Sequence, residues 1–243
     1  MNWRILITSI LLATIQINGE ANSKHSAIDT IFTLIYNQQY EKADSLLIAS
    51  NDQFDAFYSD ILRMDLYWWK YVTISSNNEL HQLNQLLKDF NLSGRNKLDF
   101  KLKELITLSY QLRLKLMRFN VPAALILRSR IKQLLLEINR KELSFSENKL
   151  KLFDLYNILF LYFDNIFNPF FLESKRTERT NALSQIEHYT HGNDLIVETL
   201  AHYFLGKIYI NIENNPRKGK IHFEILSKKY PRNLLFSELA ANC

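Results

Sequence analysis

The polar residues best suited to chemistry gather in one short stretch, where His188 and His191 lie between Glu187 and Asp194. Two imidazoles three residues apart share one face of a helix and, beside a carboxylate, can hold a divalent metal. The stretch coincides with the predicted end of a helix, where histidine side chains more often contact the terminal carbonyl groups. We therefore predict no bound metal and no cofactor.

Other signatures of catalysis are missing from the sequence. It contains no Gly-rich phosphate loop, no Gly-x-Ser-x-Gly turn and no His-Glu-x-x-His pair. Cys243 is the only cysteine, so no intrachain disulfide is expected, and at the last position it lacks the base and pocket that a nucleophilic thiol needs. These observations favour a binding protein over an enzyme.

Apolar residues recur at helical spacing from Ser26 onward, in blocks separated by short polar breaks. Only five Gly and four Pro occur among 243 residues, which leaves little from which to build turn-rich sheets. We predict an all-α fold of antiparallel helix hairpins, about five pairs with a short final helix from Asn233. The pairs span roughly 25–50, 53–91, 97–141, 147–190 and 194–230.

Residues 1–21 have the pattern of a signal peptide: Arg4, an apolar stretch from Ile5 to Ile17, and small residues before a cleavage point near Ala21. The alternative is an uncleaved amphipathic helix. The apolar stretch is shorter than the roughly 20 residues that span a bilayer. We expect an exported protein, periplasmic or secreted, with one helical domain over 22–243 and no transmembrane segment. Abundant Asn, Ile and Lys with scarce Gly suggest a bacterial source.

The formal net charge is +5, and it is unevenly distributed: residues 95–151 carry 14 Lys or Arg against 5 Asp or Glu. For an exported chain this segment points to an acidic protein, an anionic polymer or lipid headgroups rather than nucleic acid. The alternative is that the basic residues cover solvated helix faces opposite the acidic first third. On the polar stripe of the first helix of the third pair, the candidate contacts are Lys97, Lys101, Lys115 and Arg118.

The last helix pair resembles a tetratricopeptide repeat, with one extra residue in its turn. The matching residues are Leu205-Gly206, Tyr209, Gly219, Phe223 and Pro231. In such a unit Gly206 lets the partner helix approach closely, and a larger side chain at Gly219 would push the hairpin open. The resemblance implies hairpins stacked as a right-handed α-solenoid, clearest over 194–231. The middle pairs lack the signature, and a plain helical bundle is the alternative there.

The resemblance also places Tyr203 and Lys207, four residues apart, together on an inner surface that could hold an acidic or carboxylate-ending peptide. The alternative is that Tyr203 packs against the preceding repeat. Trp68 and Trp69 point about 100° apart on a helix, so we expect one to be buried and the other to face a groove, unless both pack between repeats.

Together these features predict a protein-protein interaction scaffold of the bacterial envelope that binds a protein or peptide on a helical-repeat surface. Two alternatives stay open. One is an enzyme acting on envelope polysaccharide, and the other is a protein that binds an anionic surface through its basic middle segment.

Overall fold

The computed structural model describes residues 27–50, 54–90, 97–138, 145–166 and 173–243, and every regular element in these ranges is helical. The all-α prediction is confirmed. The predicted signal peptide, 1–21, lies outside the described residues. The helices are α1 (27–36), α2 (Tyr40–Ala49), α3 (Ala56–Ile74), α4 (Asn77–Asp89), α5 (Lys97–Met117), α6 (Val121–Glu137), α7 (Glu147–Ile166), α8 (Glu173–His188), α9 (Leu195–Asn211), α10 (Pro216–Lys229) and α11 (Leu234–Ala241).

Short polar side chains begin most of these helices by accepting a hydrogen bond from a backbone N–H of the first turn, which would otherwise lack a partner. Pro122 and Pro216 occupy first turns, where a missing N–H costs nothing. The capping residues are Asp55, Ser76, Asn120, Asp194, Asn215 and Asn233.

None of the helices in the described ranges is both long and apolar enough to cross a membrane.

Successive helices pack as hairpins: α3 with α4, α5 with α6, α7 with α8 and α9 with α10. The first helices of neighbouring hairpins also pack on one another, α3 on α5, α5 on α7 and α7 on α9. These inner helices carry most of the buried apolar side chains, so the core runs along them.

The two ends of the described chain are in contact. Asn233, before α11, donates its side-chain amide to the Tyr36 carbonyl at the end of α1 at 2.8 Å, and it accepts from Gln38 at 2.9 Å. The Tyr36 ring lies 5.4 Å from that of Tyr230. In a linear stack of repeats each unit contacts only its sequence neighbours. The contact between α1 and α11 therefore closes the assembly in a way that a linear stack does not.

Two glycines set the closeness of α9 to α10. A Cβ at Gly206 would lie 2.6 Å from Phe223 Cζ, and one at Gly219 would lie 2.5 Å from Ile210 Cγ1 and 3.0 Å from the Gly206 carbonyl oxygen. No side chain fits at such distances without displacing a neighbour. The predicted role of both glycines in close helix packing is confirmed.

Replacing Gly206 by Ala should lower the free energy of unfolding by roughly 1–2 kcal/mol, because overpacking against Phe223 outweighs the better helix propensity of alanine. Gly192→Ala is the matched control, since its Cβ would meet nothing closer than 3.7 Å. Thermal unfolding should show a Tm roughly 2–8 °C lower for the first variant. Equal melting temperatures for the two variants would contradict the proposed close packing.

Candidate interaction surface

The α5–α6 hairpin exposes large apolar side chains from its turn to the far end of α6. We call this set the outer face. Phe119, in the turn, is 89% exposed. Clusters of exposed large apolar side chains are uncommon on soluble proteins and are typical of interaction sites. The outer face consists of Leu116, Met117, Phe119, Val121, Leu125, Ile126 and Leu136.

The sequence of α6 explains why one side remains uncovered. Ala124, Ile131 and Leu134 are buried against the rest of the fold. The helix is nevertheless apolar at five consecutive positions, from Ala123 to Leu127, which is more than one packed face can bury. The excess apolar residues must point outward, and this run was the signal in the sequence that could have identified the surface.

The turn of the hairpin holds Phe119 in a strained conformation. The Asn120 N–H bonds to the Lys115 carbonyl and the Phe119 N–H to that of Leu116, the paired pattern that ends many helices. Phe119 has a φ of 54°, in the left-handed region where glycine is usual and other residues cost about 1–2 kcal/mol. An exposed phenylalanine at such a position stabilises neither the turn nor the core.

The charged residues in the stretch of sequence that forms most of the α5–α6 hairpin are all basic. Residues 105–136 contain six Lys or Arg and no Asp or Glu. Arg130 pairs with Glu104 at 2.7 Å, and Arg128 pairs with Asp164 of α7 at 2.7 Å. Arg128 and Arg130 thus tie α6 to its neighbours, and Arg118, Arg130 and Lys132 are exposed near the outer face.

Of the predicted basic contacts, Lys115 and Arg118 adjoin the outer face at the end of α5. Lys101 lies about 21 Å from Lys115 along the helix axis, and its ammonium donates to the Glu137 carbonyl at 3.2 Å. The side chain of Lys97 lies outside the described residues. The predicted set therefore does not form one site, and only its C-terminal half adjoins the apolar surface.

The predicted aromatic contacts lie in the core. Trp68 and Trp69 are 4% and 1% exposed, which corrects the expectation that one of them faces a groove. Tyr203 is half-buried against the core, with its ring 5.5 Å from Trp69 of α3 and 6.3 Å from Phe236 of α11, rather than against the preceding helix pair as the alternative interpretation expected. Lys207 has its ammonium 6.0 Å from the Phe223 ring, and burial lowers its pKa. Both tryptophans are covered because helices pack on α3 from more than one side.

The basic middle segment is partly internal. Lys103 is buried and pairs with Asp60 of α3, and Lys149 is buried between Asp55 and Asp99, with its ammonium 3.1 Å from Asp99. These contacts join the basic segment to the acidic first third of the chain, but through buried lysines rather than the solvated helix faces that the alternative interpretation expected.

A polar group also lies at the centre of the core. The buried carboxyl group of Asp65 accepts a hydrogen bond from Tyr110. The Arg113 guanidinium lies 4.0 Å from the Tyr110 ring and 4.7 Å from that of Trp68. Burial raises the pKa of Asp65 to about 6, although the Tyr110 hydrogen bond and the Arg113 charge oppose this shift. The cluster fixes how α3 and α5 face each other.

Two histidines that the sequence analysis missed join α9 to α10. The Nδ1 atoms of His202 and His222 lie 2.9 Å apart, so one donates a proton to the other. Burial is the main cause that lowers the pKa of both, and the neighbouring His202 helps to lower that of His222 to about 4. Among the described residues, no group of three or more His, Cys, Asp or Glu side chains could hold a metal.

A shallow groove of about 550 Å³ lies between α1 and α2. Glu41 is the one carboxylate that lines it, whereas glycoside hydrolysis uses a pair of carboxylates across a cleft. This groove therefore does not support the polysaccharide enzyme. The other residues that line it are Leu34, Lys42, Ser45, Leu46 and Ala49.

No protein-family model, curated protein or solved structure matches the chain. The resemblance of 194–231 to a tetratricopeptide repeat thus rests on the residues quoted above and on the glycine packing between α9 and α10.

The histidine pair should make stability fall at acidic pH. An unfolded histidine has a pKa near 6.5, whereas that of His222 in the folded chain is about 4, so the unfolded state binds the proton first. The free energy of unfolding should drop by roughly 1–3 kcal/mol as the pH falls from about 6.5 through about 4. His222→Asn keeps a donor near the Nδ1 position without titrating. Urea unfolding across this range should show a smaller drop for the variant, and identical curves would disprove the assignment.

The carboxyl group of Asp65 should make the free energy of unfolding fall as the pH rises. Its pKa is higher in the folded chain than the unfolded value near 3.9, so its contribution is present at low pH and is lost as the pH rises through about 6. Asp65→Asn retains an acceptor for Tyr110 and removes this loss. We expect the stability of the variant relative to the native chain to improve by roughly 1–3 kcal/mol between pH 4 and pH 8. A stability difference that is constant with pH would contradict the burial of a titrating carboxyl group.

Proposed function

We propose that this chain is a helical scaffold of the bacterial envelope that binds a partner protein through the outer face of its α5–α6 hairpin. Export with removal of residues 1–21 is part of the proposal and rests on the sequence pattern. The observation that carries the proposal is the uncovered apolar side of α6, continued into the turn by Phe119.

The energetic cost of this surface supports a binding role. Leucine and isoleucine side chains left in water forgo about 1.5–3 kcal/mol each relative to burial. The left-handed Phe119 adds conformational strain that a glycine in the same turn would remove. Strain and exposure concentrated at one place are typical of positions selected for binding rather than for stability.

The finer architecture is also a proposal. We propose a tetratricopeptide-like unit for 194–231 alone, supported by the close packing at Gly206 and Gly219. A right-handed solenoid over the whole chain has less support, because the contact between α1 and α11 is unlike a linear stack.

Phe119→Gly separates stability from binding. Relieving the left-handed strain should raise the free energy of unfolding by about 1 kcal/mol, while loss of the exposed ring should weaken the partner contact at least several-fold. Stability is measured by urea unfolding. Binding is measured by the yield of adduct with envelope proteins from a photo-crosslinking residue placed at the exposed Ser129 of α6.

Ile221→Ser on α10 is the matched control, because it removes a similar exposed apolar side chain from another surface. It should leave the crosslinking yield unchanged. A stabilised Phe119→Gly variant with undiminished crosslinking would exclude Phe119 from the contact. Absence of any protein adduct, together with sedimentation of the chain on anionic vesicles, would favour the anionic-surface alternative.

A further inference from the structure

We propose that the partner presents an acidic amphipathic helix, laid lengthwise along the outer face of α6. The inference rests on the proposed function and names the kind of structure that the surface fits. It is carried by the shape of the apolar stripe, the sign of the charges beside it and the polar residues within it.

The stripe has the length and straightness of a helix contact. Val121 and Leu125 are four residues apart on one side of α6, and Leu136 lies on the same side in the last turn. With a rise of 1.5 Å per residue, Val121 and Leu136 are about 22 Å apart along the axis, and the exposed positions between Leu125 and Leu136 on this side are polar. A partner helix of about 15 residues covers that length, with its own apolar residues at three- and four-residue spacing.

Exposed cations lie on this side of α6 and beside it, since Lys132 is four residues before Leu136 on the same side and Arg130 lies to one side. Arg130 and Lys132 have side chains 53% and 62% exposed, whereas their partners Glu104 and Asp164 are only 16% and 14% exposed. The carboxylates thus lie beneath the cations and leave N–H donors facing a ligand. Arg118 adds an exposed positive charge at the turn. Acidic side chains on the partner match this arrangement.

The charges disfavour a second copy of the chain as the occupant. A two-fold contact through this face would bring Arg118, Arg130 and Lys132 of both copies together, while the carboxylates that pair with the last two, Glu104 and Asp164, are largely covered. Like charges brought together at an interface disfavour association.

Polar residues within the stripe favour a helix over a lipid surface. Ser129 and Gln133 are exposed on the same side of α6, between the leucines of the first and last turns. Acyl chains offer these groups no hydrogen-bond partner, whereas polar side chains of a facing helix do.

The test uses the full chain and two synthetic 18-residue amphipathic peptides. Each peptide has leucines on one helical face and charged residues on the other, and the charged residues are glutamates in one peptide and lysines in the other. Fluorescence anisotropy should show the glutamate peptide binding at least tenfold more tightly, with the difference shrinking at 0.5 M salt. Circular dichroism should show that the glutamate peptide becomes more helical on binding. Leu125→Asp should weaken binding tenfold or more, while Ile221→Asp on α10 should not.

Equal affinity for the two peptides, or undiminished binding by Leu125→Asp, would overturn the inference. Binding to phosphatidylglycerol vesicles with no binding of either peptide would replace the helix with a lipid surface. The photo-crosslinking residue at Ser129 distinguishes failure of the acidic-helix inference from failure of the proposed function. A protein adduct without peptide binding removes the acidic helix and keeps the proposed function, whereas the absence of both removes both.

Discussion

The closed arrangement of the helices depends on the contacts that the indole ring of Trp69 makes. Its ring, on α3, lies 5.1 Å from that of Tyr36 on α1, 5.5 Å from Tyr203 on α9 and 5.4 Å from Phe236 on α11. Edge-on aromatic contacts of this kind add about 0.5–1.5 kcal/mol each to the burial of the rings. Because the contacts of Trp69 with Tyr203 and Phe236 join residues 134 and 167 positions apart, they hold α3 against α9 and α11, which local helix propensity cannot do.

Hydrogen bonds and ion pairs of charged side chains also hold the hairpins together. Glu213, after α9, accepts a hydrogen bond from Tyr162 of α7, and Arg179 of α8 reaches it with two N–H donors at 2.9 and 3.0 Å. Lys103 of α5 pairs with Asp60 of α3, and Lys149 of α7 pairs with Asp99 of α5 and with Asp55 before α3, so ion pairs join three hairpins. Both lysines are buried, and removing the partner of a buried charge is strongly destabilising.

The helices could be predicted from the sequence because helical periodicity and short polar breaks are local properties. The glycine packing of the last hairpin could also be predicted, since Gly206 and Gly219 lie in helices that adjoin along the chain. Burial of both tryptophans could not, because it requires α3 to meet helices from opposite ends of the sequence. The outer face of α6 left a local signal in its apolar run, but assigning it to solvent requires knowing which side of α6 the remaining helices cover.

Packing of the candidate aromatic residues also bears on where the proposed partner could bind. An open solenoid offers a concave inner surface, and the candidate residues Tyr203 and Trp69 would lie there. In this chain Trp69 is buried and Tyr203 is half-buried, with its ring 5.5 Å from that of Trp69, so neither ring is free to hold a ligand. Of the thirteen large apolar side chains that are exposed in the described part of the chain, seven lie on the α5–α6 hairpin. The binding surface proposed above is therefore an exposed one, where Phe119 and Leu125 forgo burial without disturbing the core.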